Sequence, residues 1–168
     1  MSKIRPAKIR NNVQDFDDPY IEDEALEENT ICSHCGAIFA AGRWYLEGEV
    51  PKHEIEGAEP HATLCPACRK QRDRMPGGVL TLTGTFVDEH SDEILNLIRN
   101  ESRKALSDNP LERIMDLNSS PEEIVINTTN EKLAQRLGKA INKAYSGHIE
   151  YKWSGDNKLV RVNWHRDD

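Results

Sequence analysis

The sequence predicts an α+β chain in two parts: a small module pinned by cysteines, then a β-α-β-α-β-β layer with its helices on one face of a sheet. Three observations carry that expectation. Two Cys-x-x-Cys pairs, Cys32/Cys35 and Cys65/Cys68, lie in the first half. The breaker Pro76-Gly77-Gly78 follows them and marks a boundary. Beyond it the hydrophobic period alternates between two and about 3.6, as strands and helices take turns. The expected parts are residues 1–28, a basic then acidic tail, residues 29–76, the cysteine module, and residues 77–168, the α+β domain.

In the first part, Lys3, Arg5, Lys8 and Arg10 precede any acid. Residues 11–28 then carry eight acids, Asp15, Asp17, Asp18, Glu22, Asp23, Glu24, Glu27 and Glu28, and no Lys or Arg. With few apolar residues to bury, residues 1–28 read as disordered on their own. They serve either as a solubilising tail or as a basic arm that orders on RNA. The net charge of -7 speaks against nucleic acid as a total. Its distribution does not, because outside the acidic run 22 Lys and Arg face the other 21 of the 29 Asp and Glu.

Residues 29–76 hold the four cysteines as Cys32-Ser33-His34-Cys35-Gly36 and Cys65-Pro66-Ala67-Cys68-Arg69. No apolar run approaches the roughly 20 residues needed to cross a bilayer, and the start lacks the apolar stretch of a signal peptide. The expected location is cytoplasmic, with no membrane partner. In a reducing compartment, paired cysteines at this spacing hold a metal rather than form disulfides, and four thiolates suit tetrahedral zinc. Two such knuckles define a zinc ribbon. Gly36 falls where the knuckle turn calls for a positive φ. The long interval between the pairs predicts a hairpin or loop inside the module. His34, His53 and His61 read as surface histidines. Neither pair opens a helix after a recognisable strand, so a thioredoxin-like redox role is not indicated.

Residues 77–168 start with Val79–Val87, which alternates apolar with small polar residues and reads as a strand. A helix over about 91–106 follows, its apolar side formed by Ile94, Leu95, Leu97, Ile98, Ala105 and Leu106. Asn109-Pro110 predicts a short helical turn, and Ile124-Val125-Ile126 a buried strand. Thr128 and Glu131 have the spacing of a capping box, opening a helix that Gly147 stops. Leu133, Leu137, Ala140, Ile141 and Ala144 share one face of it. Two strands, 148–153 and 158–164, close the chain as a hairpin around Ser154-Gly155-Asp156-Asn157. Ile149, Tyr151, Trp153, Val160, Val162 and Trp164 are expected on its packed face.

Two cationic groups point to nucleic acid. Arg69, Lys70, Arg72 and Arg74 follow the second knuckle, where each phosphate contact would gain from counterion release. On the late helix, at about 100° per residue, Lys132, Arg136, Lys139 and Lys143 fall within about 60° of one another and form one stripe. Lys152, Lys158, Arg161 and Arg166 add positive charge nearby. Trp44 and Tyr45 either stack on bases or pack the ribbon core. A glycine-rich phosphate loop, a nucleophile elbow and a His-Glu-x-x-His helix are all missing from the sequence, so no catalysis and no small-molecule substrate is expected.

The two knuckles, the Arg69–Arg74 segment, Thr128–Ala140, Tyr145-Ser146-Gly147 and Arg161-Val162-Asn163-Trp164 together resemble a bacterial family of small zinc-ribbon proteins. That family is similar to the amino-terminal part of the archaeal and eukaryotic adaptor for nuclear export of the large ribosomal subunit, a family named for nonsense-mediated decay. The resemblance covers about residues 30–166. It implies zinc on Cys32, Cys35, Cys65 and Cys68 and association with the ribosome and its RNA, extending to a role in ribosome hibernation, stress response or assembly. The export adaptor has more knuckles and domains than this chain can hold, so its export role does not carry over. The alternative expectation is a zinc-dependent protein-interaction or regulatory module that binds no RNA.

Overall fold

The computed structural model describes residues 26–154 and 159–168. The basic arm at Lys3, Arg5, Lys8 and Arg10, most of the acidic run and Lys158 lie outside them. The fold is α+β, built on two sheets.

The first sheet belongs to the cysteine module. Strands β1 (Thr30–Cys32), β2 (Ile38–Ala40) and β3 (Arg43–Tyr45) pair antiparallel, with Ala41 and Gly42 as the two-residue turn of the β2–β3 hairpin. Both turn residues have positive φ, 49° and 81°, the backbone that matches the twist of a tight hairpin. A short helix α1 (Lys52–Ile55) follows. Then β4 (His61–Thr63) returns to pair parallel with β1, giving the order β3-β2-β1-β4. Helix α2 (Pro66–Asp73) completes the module.

The second sheet contains β5 (Gly78–Thr83), β6 (Ile114–Ser119), β7 (Glu123–Thr128), β8 (His148–Trp153) and β9 (Val160–His165), in the order β6-β7-β5-β9-β8. Helices α3 (Thr85–Glu89) and α4 (Ser91–Asp108) connect β5 to β6, and α5 (Glu131–Tyr145) connects β7 to β8. Both connections are split β-α-β units: β7 lies between β5 and β6, while β5 and β9 lie between β7 and β8. Alternate residues of the three inner strands are buried, Leu80 and Leu82, Ile124 and Ile126, Val160, Val162 and Trp164. They meet Ile94 and Ile98 from α4 and Leu133, Leu137 and Ile141 from α5 in one core.

The structure departs from the expected elements in several places. The strand expected over 79–87 ends at Thr83, and Phe86 and Val87 enter the core from α3 instead. Gly84 forces the change: its φ is 109°, and a Cβ there would lie 1.9 Å from the Arg166 carbonyl oxygen. Asn109-Pro110 does start the expected turn, its Asn109 carbonyl accepting from the Glu112 amide at 3.0 Å, but the turn does not continue into a helix. The Asn109 Oδ1 accepts from the Leu111 amide at 3.0 Å, an Asx turn that hands the chain to β6. Strand β6 itself was not expected, because its polar residues Asp116, Asn118 and Ser119 suit the exposed sheet edge it occupies.

The cap of α5 is Asn130, whose Oδ1 accepts from the Leu133 amide at 3.0 Å. Thr128 is buried and donates instead to the carbonyls of Asn130 and Gly78, so the Thr128–Glu131 capping box does not form. On β8, Tyr151 and Trp153 are 39% and 44% exposed rather than packed, because the edge strand carries them past the helical cover. With α3, β6 and the hairpin in place, the domain reads β-α-α-β-β-α-β-β rather than β-α-β-α-β-β.

Candidate metal centre

The two knuckles converge because β1 and β4 pair side by side and end next to each other, at Cys32 and Thr63. After β1 the chain turns back sharply: the Gly36 amide donates to the Cys32 carbonyl at 3.0 Å, and Gly36 takes φ 80°. After β4, Cys65 caps α2, with its sulfur accepting from the Cys68 amide at 3.4 Å and Pro66 in the first helical turn. The second pair therefore does open a helix after a strand, against expectation. It pairs with the first knuckle rather than with itself. The four Sγ atoms of Cys32, Cys35, Cys65 and Cys68 lie within 4.8 Å of one another.

Tetrahedral zinc with bonds of about 2.3 Å places its sulfurs about 3.8 Å apart. Cys35 and Cys65 are separated by 3.8 Å between sulfurs. Cys32, Cys65 and Cys68 are buried and Cys35 half-buried, so most of the cluster is shielded from solvent. Four soft, shielded sulfurs form the donor set of a structural zinc site, with all four positions taken by protein. His34, His53 and His61 lie at the surface, outside the cluster.

The metal-free thiols differ in acidity. Burial opposes ionisation of Cys32, but the amides of Cys35, Cys65 and His34 outweigh it and lower the thiol to about 6. Burial pushes Cys65 and Cys68 the other way, raising both thiols.

One residue of the site was missed by sequence reasoning. Arg113, in the turn before β6, donates from Nη2 to the Cys35 sulfur at 3.1 Å and from Nη1 to the Cys68 sulfur at 3.3 Å. Its Nη2 also lies 3.8 Å from the Cys65 sulfur, and its Nε donates to the Pro110 carbonyl at 2.7 Å. Forty-five positions separate Arg113 from Cys68, so no local pattern could reveal the contact. Its neighbour Glu112 is also buried, and burial pushes that carboxyl up despite a hydrogen bond from Asn130 and the nearby cations Lys132 and Arg136.

The expected nucleic-acid contacts are only partly presented. On α2, Lys70 is 9% exposed, the Arg69 guanidinium donates to Thr63, and Arg72 pairs with Asp73 at 2.9 Å. Arg74 ends the helix in a left-handed conformation and lines a cleft with Gln71, Pro76, Met115, Asp116 and Asn127. On α5, Lys132, Lys139 and Lys143 are exposed. Arg136 instead binds Glu101 at 3.2 Å and Asp108 at 3.4 Å across the seam with α4. The stripe is therefore three lysines around a structural arginine. Trp44 is buried, edge-on to Phe39 at 5.6 Å between ring centres, so it packs the ribbon core. Tyr45 is half-buried with the Arg43 guanidinium 4.6 Å from its ring centre.

Fold and site together define an α+β protein with a cluster of four cysteines suited to holding zinc. No protein-family model and no solved structure matches the chain. Part of it is similar to the PHD finger protein ALFIN-LIKE 1 of Oryza sativa, in both subspecies indica and japonica, at 32% identity over 78 residues. The match takes in 40% of this chain and 30% of the rice protein, so the chain spans less than a third of the length of those relatives. Among the described residues, no helix is long and apolar enough to cross a membrane.

Proposed function

We propose that the protein is a non-catalytic adaptor in which zinc locks the ribbon onto the α+β domain and the joined surface binds a macromolecule. The observation behind this reading is the closed site. All four positions around the ion belong to cysteines, and each sulfur accepts a hydrogen bond from an amide or from Arg113. A site filled in this way holds a fold rather than activating a substrate.

The partner suggested by the resemblance to the bacterial zinc-ribbon family is the ribosome, through its RNA. Three exposed lysines on α5, Lys132, Lys139 and Lys143, support it as phosphate contacts. A part in ribosome hibernation, stress response or assembly is an extension of the same reading. The second reading is a protein partner. It is favoured by the engagement of Arg69, Arg72 and Arg136 within the fold, the burial of Lys70 and the net charge of -7. The partial likeness to a protein named for its PHD finger is compatible with it.

Sedimentation of tagged protein through a sucrose gradient separates the two. Ribosomal association predicts co-migration with ribosomal particles that weakens with salt, by about one unit of log-log slope per phosphate contact. Replacing Lys132, Lys139 and Lys143 with Gln, while leaving Arg136 to hold the helix seam, should release the protein from the particles. A free peak at low salt in every growth phase would exclude the ribosomal partner and leave the protein-binding reading.

A further inference from the structure

The structure assigns Arg113 to the four-cysteine site as its charge-balancing positioning residue, and through it we propose that metal binding in the ribbon and docking of the ribbon on the α+β domain are one coupled event. A divalent ion with four thiolates carries a net charge of about -2, which is costly to bury unless it is compensated. Backbone amides serve the sulfurs unevenly: Cys35 and Cys65 donate to Cys32, and Cys68 donates to Cys65. Cys35 and Cys68 receive the Arg113 fork. Amides and guanidinium are thus complementary, and the cation that completes the set comes from outside the ribbon.

Arg113 is held firmly from the α+β side. Its amide donates to the Thr129 Oγ1 at 2.9 Å, and the Thr129 amide returns a bond to the Arg113 carbonyl at 2.9 Å. The Thr129 hydroxyl also donates to the Leu111 carbonyl at 2.6 Å. Thr129 is buried, one residue before the Asn130 cap of α5. The end of α4 and this turn supply further contacts to the ribbon. Leu111 packs against the ribbon core, and the Arg43 Nη2 donates to the Asp108 carbonyl at 3.1 Å. Residues 108–113 therefore form the platform on which the ribbon sits, with the guanidinium at its centre. Coupling of this kind is reciprocal: whatever factor Arg113 adds to metal affinity, the metal adds to docking.

The test uses the full chain and zinc alone, in competition with a chromophoric chelator. Arg113→Gln should weaken zinc binding by about 10- to 100-fold, as is typical for loss of a residue that orients metal ligands. Arg113→Lys, which keeps the charge but loses the fork, should fall between. Arg99→Gln removes an equal charge from an exposed position of α4 and should leave zinc affinity unchanged. In parallel, amide exchange on the metal-free wild type should show lost protection at residues 109–113, a readout that survives even if Arg113→Gln folds poorly.

Equal zinc affinity for wild type and Arg113→Gln overturns the coupling, as does an equal loss in Arg99→Gln or retained protection of 109–113 without metal. The inference rests on the zinc reading and not on the choice of partner. A wild-type chain that binds no zinc overturns both, whereas tight zinc binding indifferent to Arg113 overturns the coupling alone.

Discussion

In the α+β domain the fully buried side chains are branched and large: Leu80, Leu82, Ile94, Ile98, Ile124, Ile126, Leu133, Leu137, Ile141 and Trp164. In the ribbon the buried side chains are Cys32, Cys65, Cys68, Ala37, Ala40, Ala67 and the single indole of Trp44. At about 25 cal/mol per Å² of apolar surface, the first set can sustain a folded domain. The second buries less apolar surface, being alanines, thiols and one indole with Phe39 and Leu64 packed against them. The cysteine module is therefore expected to depend on metal binding, whose free energy in such modules is folding free energy. The contrast teaches that two neighbouring sheets in one chain can answer to different perturbations, one to cavities and the other to chelation.

The largest expected effect breaks the ribbon alone. Cys65→Ser removes the sulfur that both binds metal and caps α2, and should abolish tight zinc binding while leaving the α+β core folded. Zinc stoichiometry by mass spectrometry, with near-ultraviolet dichroism of Trp164, checks both halves of that statement. The reverse perturbation is Leu137→Ala, a cavity under α5 expected to cost about 2–5 kcal/mol in denaturant unfolding with zinc stoichiometry unchanged.

Smaller changes sharpen the contrast. Asn130→Ala, which removes the α5 cap, should cost about 1 kcal/mol by the same measurement. Glu101→Gln loosens Arg136 and should cost about 0.5–1 kcal/mol at neutral pH. Burial opposes ionisation of Glu101, but its bonds with Arg136 and Lys104 outweigh that and lower its pKa. A lowered folded pKa stabilises above the unfolded value of about 4.3 and loses that effect as pH falls through the folded value. The gap between wild type and Glu101→Gln should therefore close below about pH 4.

Much of this was legible in the sequence, and what was not has physical causes. The cysteine spacing gave the cluster, because a knuckle is a local turn. The helices α4 and α5 were readable from their apolar faces, and the terminal hairpin from its alternation. Local pattern failed where distant backbone decides: Gly84 turns because Arg166 lies against it, and Thr128 is taken by Gly78 and Asn130 before it can cap a helix. Strand β6 was hidden because an edge strand tolerates polar residues. The cationic stripe was found by geometry, but its Arg136 is claimed by acids on another helix, which no helical wheel shows. Arg113 left no signal at all, since its meaning depends on sulfurs far away in the chain.

The division between a metal-dependent ribbon and a self-sufficient α+β domain is tested most directly by amide hydrogen exchange on the full chain, with zinc bound and after chelation. Chelation should erase protection across β1 to α2 and the platform at 109–113, while β5, β7, β9 and α5 keep theirs. Uniform loss across both sheets, or a ribbon that stays protected without metal, would contradict the account.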